Sequence, residues 1–125
     1  MEGKKTVLAI DDNATQLQEF KSFLVPQYDL RVVKSASEAI GFLNKNKSDI
    51  ILLDIEMPNV SGFEFLADIR KIPSYLEVPI IIVSGNSGQD FLEQARNSSA
   101  TDVLIKPVQR EVLTETIEKA LTDSD

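Results

Sequence analysis

Residues 50–54 read Ile-Ile-Leu-Leu-Asp, a run of four apolar residues that ends in a carboxylate. Two other runs are continuously apolar in the same way, Val7 to Ile10 and Ile80 to Val83. Strands buried on both faces of a parallel sheet have this character, whereas a strand with one solvent-facing side alternates apolar and polar residues. The three runs therefore predict a parallel sheet that is covered by helices on both faces.

Apolar segments of strand length alternate along the chain with longer segments of helical spacing. The predicted strands are Thr6 to Ile10, Leu30 to Val33, Ile50 to Leu53, Pro79 to Val83 and Val103 to Ile105. Between and after them, apolar residues recur as on one face of an amphipathic helix. The five sets are Leu17, Phe20 and Leu24; Ala36, Ala39, Ile40 and Leu43; Phe65, Leu66 and Ile69; the shorter Phe91, Leu92 and Ala95; and Leu113, Ile117, Ala120 and Leu121. This order predicts an α/β fold of the (βα)₅ type, with a doubly wound five-stranded parallel sheet.

Local signals mark where two of the helices start. Ser35 and Ser37 are the predicted N-caps of the second helix, because a serine side chain accepts hydrogen bonds from the free N–H groups of a helix start. Gly62 is expected to open the third helix, after a turn that contains Pro58 and Asn59.

The composition is that of an ordinary globular protein, since 42% of the 125 residues are apolar and 26% are charged. Residues 1–125 are therefore expected to form one domain, with residues 122–125 as a frayed tail or as the cut end of a longer protein. The formal net charge is −7, which disfavours direct binding of nucleic acid, because that binding depends on Lys and Arg neutralising phosphates. No apolar run approaches the length needed to span a membrane.

The chain contains neither cysteine nor histidine. Disulfides, thiolate zinc sites and cysteine nucleophiles are therefore excluded, as are Ser-His-Asp catalysis and histidine-based metal sites. The absence of cysteine fits a reducing compartment, and a cytoplasmic location is expected.

Four of the predicted strands are followed directly by polar or charged groups. These are Asp11 and Asp12 after the first strand, Asp54 after the third, Ser84 after the fourth, where Gly85 comes next, and Lys106 after the fifth, where Pro107 comes next. In open α/β sheets, ligands bind outside the carboxyl ends of the strands, at the point where the strand order reverses. If the first and third strands are neighbours, the three carboxylates converge on one crevice.

Converging carboxylates repel one another unless a cation compensates them. Oxygen ligands suit a hard divalent cation, and Mg²⁺ is commonly held by one or two carboxylates, with waters and phosphate oxygens completing its shell. Lys106 would add a positive charge beside the same pocket. A pocket with carboxylates, a divalent metal and an ammonium group is suited to binding a phosphoryl group.

Each strand end also has a structural interpretation when it is taken alone. Asp11, Asp12 and Asn13 could simply start the first helix as N-caps, and Asp54 could be an ordinary turn residue. Ser84 precedes a glycine, as loop serines often do, and Lys106 could be a solvated charge before a proline that starts a helix. The conjunction of four strand ends with chemically matched residues favours a functional site.

The same residues resemble the receiver domain of two-component response regulators. The resemblance rests on Asp11-Asp12, on the run Leu53-Asp54-Ile55-Glu56-Met57-Pro58 with Gly62 after it, on Ser84-Gly85 and on Lys106-Pro107. It covers essentially the whole chain, and the combination of motifs is highly specific, although each motif alone is not. It implies a flavodoxin-like three-layer sandwich with strand order 2-1-3-4-5, which places the first and third strands side by side.

The resemblance also implies a role for each matched residue. Asp54 would be the nucleophile that becomes an aspartyl phosphate. Mg²⁺, or another divalent cation such as Mn²⁺, would be held by Asp12, Asp54 and the backbone carbonyl of Glu56, with Asp11 acting commonly through water. Lys106 would pair with the phosphoryl oxygens.

The switch residues follow from the same resemblance. The Ser84 hydroxyl would move to hydrogen-bond the phosphoryl group and so report its presence, while Gly85 would leave room for that group. Glu56 and Asn86 lie where the family tunes the lifetime of the phosphate. The peptide bond between Lys106 and Pro107 is expected to be cis.

Val103 is a departure from the family pattern, which often has an aromatic residue three positions before the lysine. In the family, that ring turns inward when the Ser or Thr moves. A β-branched side chain cannot swing a ring between buried and exposed positions. The output is therefore expected to depend more on the loop after Ser84 and on the surface of the fourth helix and fifth strand.

The function implied is a signalling switch rather than an enzyme, although the switch would promote its own phosphorylation and slow autodephosphorylation. Because the chain has no histidine, the phosphoryl donor must be a separate protein or domain, either a sensor histidine kinase or a histidine phosphotransfer protein. The receiver of the signal would be a downstream protein or a fused output domain. A homodimer through the face of helix 4, strand 5 and helix 5 is a further hypothesis.

Two other kinds of function compete with the signalling switch. A receiver fold could act as a protein-interaction module whose switching is atypical or independent of phosphorylation, and Val103 keeps this reading open. A flavodoxin-like small-molecule protein or a hydrolase is disfavoured. The first strand–helix loop, Asp11-Asp12-Asn13-Ala14, lacks glycines and carries two negative charges, which makes a poor cradle for a flavin phosphate.

Overall fold

A computed structural model describes residues 3–58 and 60–123 of the chain. The strands are β1 (Thr6–Ile10), β2 (Asp29–Val33), β3 (Ile50–Asp54), β4 (Ile80–Ser84) and β5 (Asp102–Ile105). The helices are α1 (Ala14–Leu24), α2 (Ala36–Lys45), α3 (Gly62–Arg70), α4 (Gln89–Arg96) and α5 (Arg110–Asp123), with a short 3₁₀ helix at Pro73–Tyr75. Strands and helices alternate, as the apolar patterns predicted.

The five strands form one parallel sheet in the order β2-β1-β3-β4-β5. The predicted fold class and strand order are therefore confirmed. The order reverses between β1 and β3, where Ile10 pairs with Leu53. The carboxyl ends of β1 and β3 thus meet at the switch point, which is where a ligand site is expected in such a sheet.

The core consists of two apolar layers, one on each face of the sheet. Successive residues of a strand point to opposite faces, so Val7 and Ala9 of β1 contribute to one layer and Leu8 and Ile10 to the other. The first layer includes residues of α1 and α5, and the second includes residues of α2, α3 and α4. All five residues of β3 and of β4 are buried, which explains why the first four residues of each strand are apolar.

Side-chain caps start three of the helices. Asn13 accepts a hydrogen bond from the Gln16 N–H at the start of α1, and Ser35 accepts one from the Glu38 N–H at the start of α2. Ser61 caps α3, whose first residue is Gly62 as expected. Ser37 lies inside α2, so its prediction as an N-cap was wrong; the helix begins directly after Ser35, whose side chain accepts from the Glu38 N–H.

Some boundaries differ from the sequence prediction by one or two residues. Asp54 and Ser84 are the last residues of their strands, because their backbones still pair with Val83 and Ile105. α5 continues to Asp123, so the first part of the expected frayed tail is helical, while residues 124–125 lie outside the described part of the chain. Asn59, expected in the turn before α3, also lies outside it. Within the described residues, the helices are too short or too polar to cross a membrane.

Candidate functional site

The carboxyl ends of β1, β3 and β5 bring three charged side chains together. Asp11 follows β1 and Asp54 ends β3, and both are almost fully buried, with 1% and 4% of their surface exposed. Lys106 follows β5, and its Nζ lies 3.1 Å from Oδ2 of Asp11 and 3.8 Å from Oδ2 of Asp54. The lysine therefore bridges two buried carboxylates that are 43 residues apart in the sequence.

Asp12 completes a cluster of three carboxylates. Asp11, Asp12 and Asp54 each offer one oxygen, and these oxygens all lie within 4.8 Å of one another. Asp11 and Asp54 are buried, whereas Asp12 is exposed and leaves the cluster open to solvent on one side. The donor set consists of oxygen atoms alone, which fits a hard divalent cation such as Mg²⁺.

The charges of the cluster also fit a divalent cation. Three carboxylates against one ammonium group leave a formal excess of two negative charges in a largely buried place. The pKa of Asp54 is raised to about 6, chiefly by burial and in smaller part by the neighbouring charge of Asp11. A hydrogen bond from the Glu56 N–H to Oδ1 of Asp54, at 3.0 Å, and the charge of Lys106 oppose that rise. A bound cation would favour the ionised form of Asp54 and remove the excess charge.

The loop after β1 leaves both aspartates free of helix capping. Asn13 is the N-cap of α1, since its Oδ1 accepts from the Gln16 N–H at 3.1 Å. Oδ1 of Asp11 accepts from the Asn13 N–H at 2.9 Å, which orients this carboxylate while its other oxygen faces Lys106. The structural alternative, that Asp11, Asp12 and Asn13 start the first helix, therefore holds for Asn13 but not for the two aspartates.

Ser84 is fully buried at the end of β4, and its hydroxyl is already engaged. Its Oγ donates to Oε1 of Glu56 at 2.9 Å and accepts from the Asn86 N–H at 3.0 Å. The Gly85 N–H donates to the same Glu56 oxygen at 3.0 Å. Asn86 in turn accepts from the Gly88 N–H at 2.8 Å, so its side chain shapes the turn into α4.

Two other predictions concern Pro107 and Val103. The Lys106–Pro107 peptide bond is cis, as the family resemblance implied. Val103 lies within β5, where it pairs with Ile82 and packs, half-buried, against the core layer on the α2, α3 and α4 side. It is therefore not among the residues of the carboxylate cluster.

The side-chain contact of Glu56 with Ser84 and Gly85 was not predicted from the sequence. Glu56 was expected to bind the metal through its backbone carbonyl and to tune the lifetime of the phosphate. The contact joins residues 28 and 29 positions apart, from two different strand ends. No spacing within one element signals such a contact, because it depends on how the loop after β3 folds over the end of β4.

The fold and this cluster together define a doubly wound α/β domain with an acidic, lysine-bridged pocket at its switch point. A sequence model of the response regulator receiver domain matches residues 7–118. The chain therefore belongs to the response regulator receiver domain family of two-component signalling. The resemblance noted from the motifs is confirmed.

Much longer curated relatives contain a similar stretch. The CAI-1 autoinducer sensor kinase/phosphatase CqsS of Vibrio cholerae is 33% identical over 113 residues, which are 88% of this chain and 16% of that protein. The two-component response regulator ARR12 of Arabidopsis thaliana is 34% identical over 110 residues, 86% of this chain and 18% of that protein. The chain thus spans less than a fifth of the length of these relatives.

Solved structures agree with the fold in detail. The chemotaxis protein CheY4 of Vibrio cholerae superposes with a TM-score of 0.88 at 27% identity, covering 94% of this chain and 99% of that one. A CheY-like receiver domain protein of Methanospirillum hungatei gives a TM-score of 0.87 at 24% identity, covering 98% and 97% of the two chains.

Proposed function

We propose that this chain is a phosphoacceptor receiver domain, in which Asp54 takes a phosphoryl group from a phosphohistidine on a partner. The observation that carries the proposal is the position of Asp54. Its carboxylate ends a buried strand, shares a cluster with Asp11 and Asp12, and faces the ammonium group of Lys106. The nucleophile, the ligands of a cation and a fixed positive charge are thus within reach of one another.

The transfer would be an in-line displacement at phosphorus. An oxygen of Asp54 attacks the phosphorus, an O–P bond forms, the N–P bond of the phosphohistidine breaks, and the imidazole leaves with the electron pair of that bond and takes up a proton from solvent. Lys106 stabilises the negative charge on the transferred oxygens, and Asp11 holds Lys106 in place. Positioning and charge neutralisation supply most of the catalysis in phosphoryl transfer.

Asp12, Asp54 and the backbone carbonyl of Glu56 would hold Mg²⁺ or Mn²⁺, with Asp11 commonly acting through water. When bound, the cation neutralises charge on the phosphoryl oxygens. Later attack by water on the acyl phosphate resets the switch, with Glu56 and Asn86 tuning the lifetime. Ser84 would turn its hydroxyl to the phosphoryl group, beside Gly85, and so change the loop that leads into α4.

The proposal includes a partner on each side of the switch. The chain has no histidine, so a sensor histidine kinase or a histidine phosphotransfer protein would donate the phosphoryl group, in the cytoplasm. The net charge of −7 argues against direct contact with nucleic acid. A downstream protein or a fused output domain would receive the signal, and a homodimer through the α4, β5 and α5 face would be one form of output. Val103 lines a cavity of about 380 Å³ on that face, between α4 and β5.

The direct test is incubation of the protein with Mg²⁺ and acetyl phosphate, followed by intact mass spectrometry. We expect one added phosphoryl group per chain, which is lost in alkali because the product is an acyl phosphate. Addition of excess EDTA should abolish the labelling. A chain that gains no phosphoryl group from acetyl phosphate or from a phosphohistidine donor would contradict the proposal.

Metal binding gives a separate prediction. We expect millimolar Mg²⁺ to raise the melting temperature of the wild type, because the cation compensates the excess charge of the carboxylate cluster. Asp12→Asn should lose most of this increase while remaining folded, since Asp12 is exposed. Asp68→Asn is the matched control, because Asp68 is an exposed residue of α3 that pairs with Lys71. An equal Mg²⁺ effect in Asp12→Asn and in Asp68→Asn would contradict the assignment.

A second candidate function is an interaction module with the same fold that does not depend on phosphorylation. The observation that favours it is Val103, which cannot act as the aromatic part of the usual switch. The two functions are distinguished by the affinity for a partner, once one is isolated, before and after phosphorylation. An interaction module predicts the same affinity in both states and in the Asp54→Asn variant.

A further inference from the structure

The Glu56 side chain accepts two hydrogen bonds from residues that are distant in the sequence. The residue follows β3 by two positions and is exposed, yet Oε1 accepts hydrogen bonds from the Ser84 Oγ at 2.9 Å and from the Gly85 N–H at 3.0 Å. Both donors belong to the end of β4. One carboxylate oxygen thus occupies the two hydrogen-bond donors that the β4 end presents beside the site.

The Ser84 hydroxyl cannot serve two acceptors at once. A serine hydroxyl has a single hydrogen to donate. In the structure that hydrogen is directed to Glu56, while the Ser84 oxygen accepts from the Asn86 N–H at 3.0 Å. Under the proposed function, the same hydroxyl must donate to the phosphoryl group on Asp54. Formation of that bond therefore requires that the bond to Glu56 breaks.

The space beside Gly85 leads to the same conclusion. A side chain carbon placed on Gly85 would have one described heavy atom within 4 Å, apart from its chain neighbours, and that atom is Oε1 of Glu56 at 3.7 Å. The room that the glycine leaves is thus lined by a carboxylate oxygen. A carboxylate and a phosphoryl group are both anionic acceptors, and charged acceptors form the stronger hydrogen bonds with such donors.

We propose that the Glu56 carboxylate is an internal anion that holds the Ser84 hydroxyl and the Gly85 N–H in the unphosphorylated state, and that a phosphoryl oxygen displaces it. This inference rests on the proposed function and concerns the regulation of the same site. It gives Glu56 a positioning role, because it acts through Ser84 and Gly85. It also links the loop from Ser84 to Gly88, which leads into α4, to the state of Asp54.

The contact itself can be tested in the free protein by NMR. In Glu56→Ala, the amide proton of Gly85 loses its charged acceptor and should shift upfield relative to the wild type. Glu56→Gln keeps an oxygen acceptor without the charge and should give a smaller shift. Asp90→Asn removes one exposed negative charge from the first turn of α4 and should leave the Gly85 amide unchanged, since Asp90 is not hydrogen-bonded to Gly85 in the described structure. An unchanged Gly85 amide in Glu56→Ala would overturn the inference.

The competition is tested by titration with beryllofluoride, an analogue of the phosphoryl group, in the presence of Mg²⁺. We expect Glu56→Ala to bind it about tenfold more tightly than the wild type, because no internal hydrogen bond must be broken. Glu56→Gln should fall between them, and Asp90→Asn should match the wild type. Binding by the wild type with no gain in Glu56→Ala, or with an equal gain in Asp90→Asn, would overturn this inference alone. Absence of binding in the wild type and in every variant would overturn the proposed function as well.

Discussion

Asp54→Asn is expected to abolish phosphorylation of this domain completely. The side-chain amide is not a nucleophile toward phosphorus, and the neighbouring carboxylates cannot replace it. Asp11 is held by the Asn13 N–H and by Lys106, and Asp12 lies on the exposed side of the cluster. Intact mass after incubation with Mg²⁺ and acetyl phosphate should therefore show no added phosphoryl group.

The variant is expected to fold, because the amide has the size of the carboxylate and its oxygen can still accept from the Glu56 N–H. Circular dichroism and a cooperative thermal transition check this. Asp68→Asn is again the control, and it should be labelled as fast as the wild type, since Asp68 is exposed and pairs with Lys71. Continued labelling of folded Asp54→Asn would place the acceptor elsewhere and contradict the assignment.

Among Gly→Ala substitutions at the described glycines, Gly62→Ala is expected to cause the largest loss of stability. A Cβ at Gly62 would lie 2.7 Å from the Cα of Ile55 and still closer to the carbonyl oxygen and Cγ1 of the same residue. Two of these atoms belong to the backbone, so no side-chain rotation relieves the clash. We expect the free energy of unfolding to fall by about 3 kcal/mol, at the upper end of overpacking effects.

The same substitution should also slow phosphorylation, because Ile55 follows Asp54 directly and any shift of its backbone moves the acceptor. Gly41→Ala is the matched control. Gly41 is an exposed residue within α2, and an added Cβ meets nothing within 4 Å there. The free energy of unfolding of Gly41→Ala should rise by about 0.5–1 kcal/mol, since alanine is the better helix former. Urea unfolding followed by circular dichroism measures both; equal stabilities of the two variants would refute the packing argument.

The most buried part of the fold is the part that could be predicted from local sequence. β1, β3 and β4 are covered on both faces, so their residues are continuously apolar, and their positions were predicted to within one residue. The edge strands carry less information, because part of each faces solvent. β2 has no fully buried residue and β5 has one, Leu104. The start of each of these strands was predicted one residue too late.

The residues of the site could be predicted from the sequence, but the way in which they pair could not. Asp11, Asp12, Asp54 and Lys106 could be found from the sequence because each stands at the end of a recognisable strand, and parallel strands bring their carboxyl ends to one edge. The closer pairing of Lys106 with Asp11 than with Asp54, at 3.1 Å against 3.8 Å, had no sequence signal. It depends on the path of two separate loops.

The strands of the sheet and the charged groups at its carboxyl edge follow from the residue pattern, and the strand order follows from the family resemblance. The periodicity of apolar residues encodes burial directly, and burial dictates the strands. The hydrogen bonds that those groups make are seen only once the chain is folded. Asn13 rather than an aspartate caps α1, and the Glu56 carboxylate accepts from Ser84. Such choices depend on atoms brought together from distant positions to within about 3 Å, a range over which hydrogen bonds form or fail and which no residue pattern along the chain can specify.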